Sequence, residues 1–133
     1  MILVDSSVLI DVIEGKPHWS GWSSDQLFIS GKKHRLIVNV VIYAEISRSF
    51  SSAMALDQFL QDVGIKLDFI PAKAAFQAAR AHTAYRAAGG TRSATLPDFF
   101  IGAHASVSGG EMLTRDPKRI RAYFPDVVLI CPE

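Results

Sequence analysis

Four apolar residues, Met1, Ile2, Leu3 and Val4, open the chain and stop at Asp5. A run this short and this apolar reads as a buried parallel strand. Ser6 and Ser7 follow, and Val8, Leu9, Val12 and Ile13 then recur at helical spacing until Gly15. Either serine can cap that helix and Gly15 can end it. Asp5 therefore falls at the carboxyl end of a first strand. In open α/β sheets ligands bind at that edge. The chain folds around this strand end only if other segments deliver complementary groups to it.

The rest of the sequence repeats the alternation. Residues 20–30 read as a second helix stopped by Gly31, with Trp22 and Leu27 as packing residues, and residues 36–38 as a second strand. Asn39 is a good N-cap for a helix over 40–50. A further helix over 52–63 ends at Gly64, and residues 65–70 form a third strand nearer an edge. Pro71 suits the first turn of a helix reaching Ala88, and Gly89-Gly90 stops it. Residues 91–95 are a polar loop. Pro97 opens an apolar helix to about Ser108, in which Gly102 leaves room above the carboxylate of Asp98. Strands at 112–114 and 127–130 flank a short basic helix or turn at 118–123. Strands alternating with helices imply one α/β domain over residues 1–133: three layers, a mainly parallel central sheet flanked by helices.

Composition limits what such a domain can be. A chain of 133 residues with 49% hydrophobic and 20% charged residues can bury a core and is not disordered. No apolar run approaches the ~20 residues that span a bilayer. No positive region precedes the first apolar residues, so no signal peptide is expected. Cys131 is the only cysteine, which excludes an internal disulfide and a thiolate zinc cluster. His18, His34, His82 and His104 lack metal-ligand spacing, and no Gly-x-Ser-x-Gly elbow is present. A cytoplasmic protein is the expectation, with no membrane partner.

Four carboxylates stand out by position. Asp5 and Asp116 end or closely follow apolar strands, and parallel strands share one carboxyl edge. Asp98 lies in the first turn of a helix, where the dipole favours an acid. Glu45 lies three and four residues after Ile42 and Val41, on the same helical face. Taken singly, Asp5 could cap a helix, Asp98 satisfy a dipole, Asp116 make a turn with Pro117, and Glu45 reach out to water. Gathered together they would repel, and a divalent cation is the usual remedy. All-oxygen ligands suit Mg²⁺ or Mn²⁺, and Mg²⁺ is commonly completed by phosphate oxygens. An aspartyl-nucleophile phosphatase would want a second aspartate where Ser7 stands.

These residues carry a resemblance. Val4-Asp5-Ser6-Ser7, Tyr43-Ala44-Glu45, the run from Leu96 and Pro97 through Asp98 and Gly102 to His104 and Ala105, and Leu113-Thr114-Arg115-Asp116 resemble, in order and spacing, the PIN-domain ribonucleases. Among them the chain is most similar to the VapC-type toxins of type II toxin–antitoxin pairs. The resemblance implies an Mg²⁺- or Mn²⁺-dependent endoribonuclease in which Asp5, Glu45, Asp98 and Asp116 form the catalytic metal site. It also implies supporting hydroxyls at Ser7 and Thr114, a small cognate antitoxin, and a homodimer to which Trp19, Trp22, Phe28 and Phe50 contribute apolar area. The alternative from another class is a non-catalytic PIN-like module that binds RNA or protein.

RNA would also have to be held. The net charge of +1 carries no signal, but Arg80, Arg86, Arg92, Arg115, Lys118, Arg119 and Arg121 face only Asp98, Glu111 and Asp116 in the same stretch. Arg115, Lys118, Arg86 and Arg92 are the expected phosphate contacts, Arg115 foremost. A solvated face with scattered ion pairs is the other reading. Tyr85 and Tyr123 could stack bases or belong to the core.

Overall fold

A computed structural model describes residues 1–90 and 95–133. Five strands form one parallel sheet in the order β3-β2-β1-β4-β5: β1 (Ile2–Val4), β2 (Leu36–Val38), β3 (Ile65–Leu67), β4 (Glu111–Leu113) and β5 (Val128–Ile130). β1, β2 and most of β4 are buried, so they read as continuous apolar runs. β3 buries Ile65 and exposes Lys66 and Leu67, as an edge strand does. Each fully buried side chain of Ile2, Leu3 and Val4 contributes about 1.5–3 kcal/mol.

Seven helices connect the described strands: α1 (Ser6–Glu14), α2 (Ser20–Lys33), α3 (Val40–Ser47), α4 (Ala53–Asp62), α5 (Ala72–Ala87), α6 (Leu96–Val107) and α7 (Lys118–Tyr123). The chain leaves β1 towards β2 and β3, then returns past β1 to β4 and β5. Right-handed crossovers in opposite directions place helices on both faces, giving three layers. The direction reverses between β1 and β4, and the crevice at such a switch point is where open α/β sheets bind ligands. The register pairs Leu3 with Met112 and Val4 with Leu113. Asp5 and Thr114 therefore leave the sheet side by side.

Besides the helix expected over 40–50, which ends at Ser47, and the strand expected over 65–70, which ends at Leu67, three local expectations change. Helix α2 does not stop at Gly31 but runs to Lys33. A glycine costs a helix only about 1 kcal/mol, and Lys32 and Lys33 in the last turn complement the dipole. Asp5 itself, rather than either serine, is the N-cap of α1. Gly102 makes room not for the Asp98 carboxylate but for the Phe124 ring, which a Cβ at that position would strike. The loop expected over 91–95 lies, except for Thr95, outside the described residues. No helix among the described residues is long and apolar enough to cross a membrane.

Helix α6 is the hub of one face. It packs against α5, α7 and α3 and against β1 and β4. Phe99, Ile101, Ala103 and Ala105 are buried along it, and Phe99 contacts Tyr85, Tyr123 and Phe124. The tyrosines thus belong to an aromatic core, with Tyr85 buried and Tyr123 half-buried.

Candidate active site

The carboxyl edge at the switch point opens into a cavity of about 260 Å³ lined by Asp5, Glu45, Asp98 and Asp116 together with Ser6, Ser7 and Arg119. Ile10, Ile101 and Ile120 form its apolar walls. Residues separated by more than a hundred positions in sequence meet there because four different elements end or begin at this edge.

Asp5 is the most constrained of the four. Its Oδ1 accepts the Ser6 N–H at 2.9 Å, which caps α1. Its Oδ2 accepts the hydroxyls of Ser7 and Thr114, both at 2.8 Å. Those hydroxyls are themselves oriented from the next strand. The backbone N–H of Arg115 donates to Ser7 Oγ at 3.1 Å, and that of Asp116 donates to Thr114 Oγ1 at 3.0 Å. The exit of β4 is thereby bolted to Asp5 through two hydroxyls, and Asp116 follows directly. Burial nonetheless pushes the Asp5 carboxyl above its ordinary value, with Asp116 adding to the rise and the Thr114, Ser7 and Ser6 hydrogen bonds opposing it.

Glu45 comes from α3, which starts beside β1 because Asn39 follows β2. Asn39 Oδ1 accepts the Ile42 N–H at 3.0 Å and caps that helix. This fixes the amide so that its Nδ2 donates to His104 Nδ1, 3.0 Å away. Both side chains are fully buried. They tie α3, which carries Glu45, to α6, which carries Asp98. Burial lowers the His104 pKa, against the pull of Asp68, consistent with a neutral ring that accepts at Nδ1. The sequence shows only that His104 lacks metal-ligand spacing; a helix cap and a histidine 65 positions apart carry no joint signal in one chain. Glu45 Oε1 is buried without a hydrogen-bond partner. Desolvation raises the Glu45 pKa, with Asp5 and Asp98 reinforcing the rise and Ser6 and Arg119 opposing it.

Asp98, at the start of α6, has its Oδ2 engaged three times. The Thr95 N–H donates at 2.9 Å, the Thr95 hydroxyl at 3.1 Å and Arg119 Nη1 at 3.1 Å. Arg119 was not singled out as a site residue. It enters the cavity because α7 is docked by buried Ile120 and Phe124, one and five residues after it in sequence. A single apolar residue in Lys118-Arg119-Ile120-Arg121 was the only clue.

The expected phosphate contacts are dispersed. Arg115 Nε donates to Asp11 Oδ2 at 2.7 Å, and its guanidinium lies over the Trp19 ring at 5.3 Å from the centroid. Asp11 is fully buried and also accepts the Ser23 hydroxyl at 2.9 Å. Arg115 is thus engaged in holding β4's exit to α1 and α2. Lys118 and Arg86 are exposed, at the start of α7 and in the last turn of α5, and Arg92 lies outside the described residues.

The donor set suits a hard cation. It is carboxylate oxygen throughout, and a buried Glu45 oxygen lacks a partner. Among the described residues, no three His, Cys, Asp or Glu side chains converge closely enough to hold an ion as they stand. The cavity is wide enough for an ion that keeps part of its water shell, as Mg²⁺ does.

Comparison with known proteins bears on the family. The PIN domain model matches residues 2–125. The chain belongs to the PIN-domain family. The PIN fold is also that of several solved structures. A chain of VapBC2 from Rickettsia felis, bound to a DNA fragment from its promoter, superposes with a TM-score of 0.76 at 19% identity over 100% of both chains. A toxin–antitoxin complex from Klebsiella pneumoniae gives 0.70 at 19% over 96% of each. DNA-bound VapBC from Salmonella typhimurium gives 0.69 at 16% over 98% of each. None of the curated proteins compared matches this chain.

Proposed function

We propose that this PIN domain is a metal-dependent endoribonuclease, the toxin of a toxin–antitoxin pair. The observation that carries this reading is the cavity at the switch point, where four carboxylates from four elements line one space. Structures with the same fold are toxin–antitoxin complexes, which supports a small antitoxin as the partner.

Asp5, Glu45, Asp98 and Asp116 would hold Mg²⁺ or Mn²⁺. The bound cation would lower the pKa of a water nucleophile and offset charge on the phosphoryl oxygens. The chain's own residues supply the preorganisation. Ser7 and Thr114 fix the Asp5 carboxylate by donating to one oxygen, which leaves lone-pair capacity on Oδ1. Thr95 orients Asp98 at the N-terminus of α6. Glu45, with its raised pKa and unpartnered oxygen, is suited to accept a proton or to complete the ligand set. Ile10, Ile101 and Ile120 restrict water on the apolar walls, which strengthens charge interactions inside.

A homodimer belongs to the same reading. Trp22 and Phe50 pack against the core, Trp19 lies beneath Arg115, and Phe28 with Ile29 leaves an apolar patch exposed on α2.

Purified protein should cut a structured RNA with Mn²⁺, stop when EDTA is added, and lose about 100-fold or more of its rate as Asp98→Ala. Induced expression should arrest growth, and co-expression of the small adjacent gene product should relieve it. RNA binding without cleavage by the Mn²⁺-loaded wild type would instead favour the non-catalytic module.

A further inference from the structure

Among the residues lining the carboxylate cavity, Arg119 is the basic one. Its position is not that of a free surface cation. Ile120 and Phe124 dock α7 on the core, and the guanidinium Nη1 reaches Asp98 Oδ2 at 3.1 Å. Its positive charge also favours the ionised form of Glu45, which lines the same cavity. The Arg119 side chain is 47% exposed, while that of Asp98 is 22% exposed. The contact is therefore a half-solvated ion pair at the mouth of the site, held with modest strength.

That combination is informative. A buried arginine here would be a fixed structural counter-ion. An arginine with nearly half its side chain in water can exchange one anionic partner for another. The cavity holds carboxylates whose mutual repulsion needs positive charge, and a divalent cation supplies more of it than a guanidinium. Once a cation neutralises Asp98, the guanidinium loses its strongest partner. It then stands at the rim with its planar fork of donors turned to whatever anion enters. Guanidinium forks match phosphate oxygens in pairs, which the point charge of a lysine does not.

We propose that Arg119 serves the cavity in two ways: it is the internal counter-ion of Asp98 while no cation is bound, and the phosphate-contacting side chain of the site once a cation has taken the carboxylates. The inference rests on the nuclease reading for the identity of the phosphate, an RNA phosphodiester. It makes the phosphate contacts outside the cavity, at Lys118 and Arg86, secondary to one within it.

Two binding measurements on the whole chain test it, neither of which requires turnover. In the first, Mn²⁺ is titrated calorimetrically into wild type, Arg119→Ala and Arg119→Lys. A competing positive charge has been removed in Arg119→Ala, so Mn²⁺ should bind about three- to tenfold more tightly. Arg119→Lys keeps the charge and should stay near wild type. In the second, a fluorescein-labelled RNA oligonucleotide is titrated by anisotropy, with Ca²⁺ replacing Mn²⁺ to suppress cleavage. Arg119→Ala should bind RNA about tenfold more weakly. The slope of log affinity against log salt should become shallower by about 0.7, the loss of one phosphate contact on a single strand. Arg119→Lys should keep that slope and fall between the two in affinity.

The opposite signs separate this role from a merely structural one, which would weaken both ligands together. Unchanged or weaker Mn²⁺ binding by Arg119→Ala overturns the counter-ion role. An unchanged RNA affinity and salt slope overturn the phosphate contact, as does a wild type that does not bind the oligonucleotide. If wild type binds both ligands but fails to cut RNA with Mn²⁺, the nuclease reading falls while both readouts on Arg119 still stand.

Discussion

At the scale of single residues, Arg119 lines the carboxylate cavity while Arg115 reaches Asp11 and Trp19. Arg115 lies next to Asp116 and was the foremost candidate for RNA. Its guanidinium is instead paired with Asp11, which has no exposed surface and one oxygen without a partner. Breaking such a pair from one side leaves an uncompensated buried charge. Arg115→Ala should therefore lower stability by about 3 kcal/mol, read as a reduced urea midpoint with an unchanged slope. Replacing both partners with apolar residues, Asp11→Leu with Arg115→Met, should recover most of that loss. If Arg115→Ala is as stable as wild type and only its RNA binding falls, the pair is not structural. Nothing in the string Leu-Thr-Arg-Asp distinguishes an arginine that turns back to α1 from one that faces a substrate. The decision is made by Asp11, 104 positions away in sequence.

At the scale of elements, the position of α7 decides what enters the cavity. The helix has only six residues, and isolated helices of that length do not hold themselves in water. Its place comes from Ile120 and from Phe124, whose ring lies against Gly102 of α6. Gly102→Ala puts a methyl group into the space the ring occupies. The mutation should cost about 1–3 kcal/mol of stability, despite the better helix propensity of alanine. Because the displaced ring belongs to the segment that follows α7, the Arg119–Asp98 pair should loosen as well. A Gly102→Ala protein with wild-type stability would mean that the ring shifts freely and that α7 is not clamped there. The same contact explains a misreading. A glycine four residues after a candidate carboxylate looks like room for a ligand, yet the ring it accommodates comes from 22 positions further on. Gly31 misled in the opposite direction, since a helix whose end is favoured by lysines tolerates one glycine. By contrast, Asn39 was legible as a cap because capping needs only a local side chain and the next three backbone groups.

At the scale of the whole molecule, the legible part was the sheet and its edge. Short apolar runs bounded by polar residues report burial on both faces, and parallel strands share a carboxyl end. Asp5 and Asp116 could thus be placed together without coordinates. The resemblance named Ser7 and Thr114 as supporting hydroxyls, but one chain could not reveal that the N–H groups of Arg115 and Asp116, on the far side of the switch point, orient them. The repulsion between gathered carboxylates was foreseeable; that burial would add a larger cost was not. Burial, reinforced by neighbouring carboxylates, raises the pKa values of Asp5 and Glu45. A raised carboxyl pKa means that the folded chain binds those protons more tightly than the unfolded chain. Their contribution to stability is then full below the ordinary carboxylate range of about 4 and is lost as pH rises through the raised folded values. In EDTA, the gap in Tm between Glu45→Gln and wild type should therefore open in favour of the mutant as pH increases. Mn²⁺, bound only by the folded state, should raise the wild-type Tm, and by more at pH 7 than near pH 5, where protons compete for the same oxygens. Glu45→Gln should show a smaller Mn²⁺ shift with a weaker pH dependence. Scanning both proteins by calorimetry with EDTA and with Mn²⁺ at each pH reads all of these at once. An Mn²⁺ shift that is the same at every pH, and the same in Glu45→Gln, would place the cation away from these carboxylates.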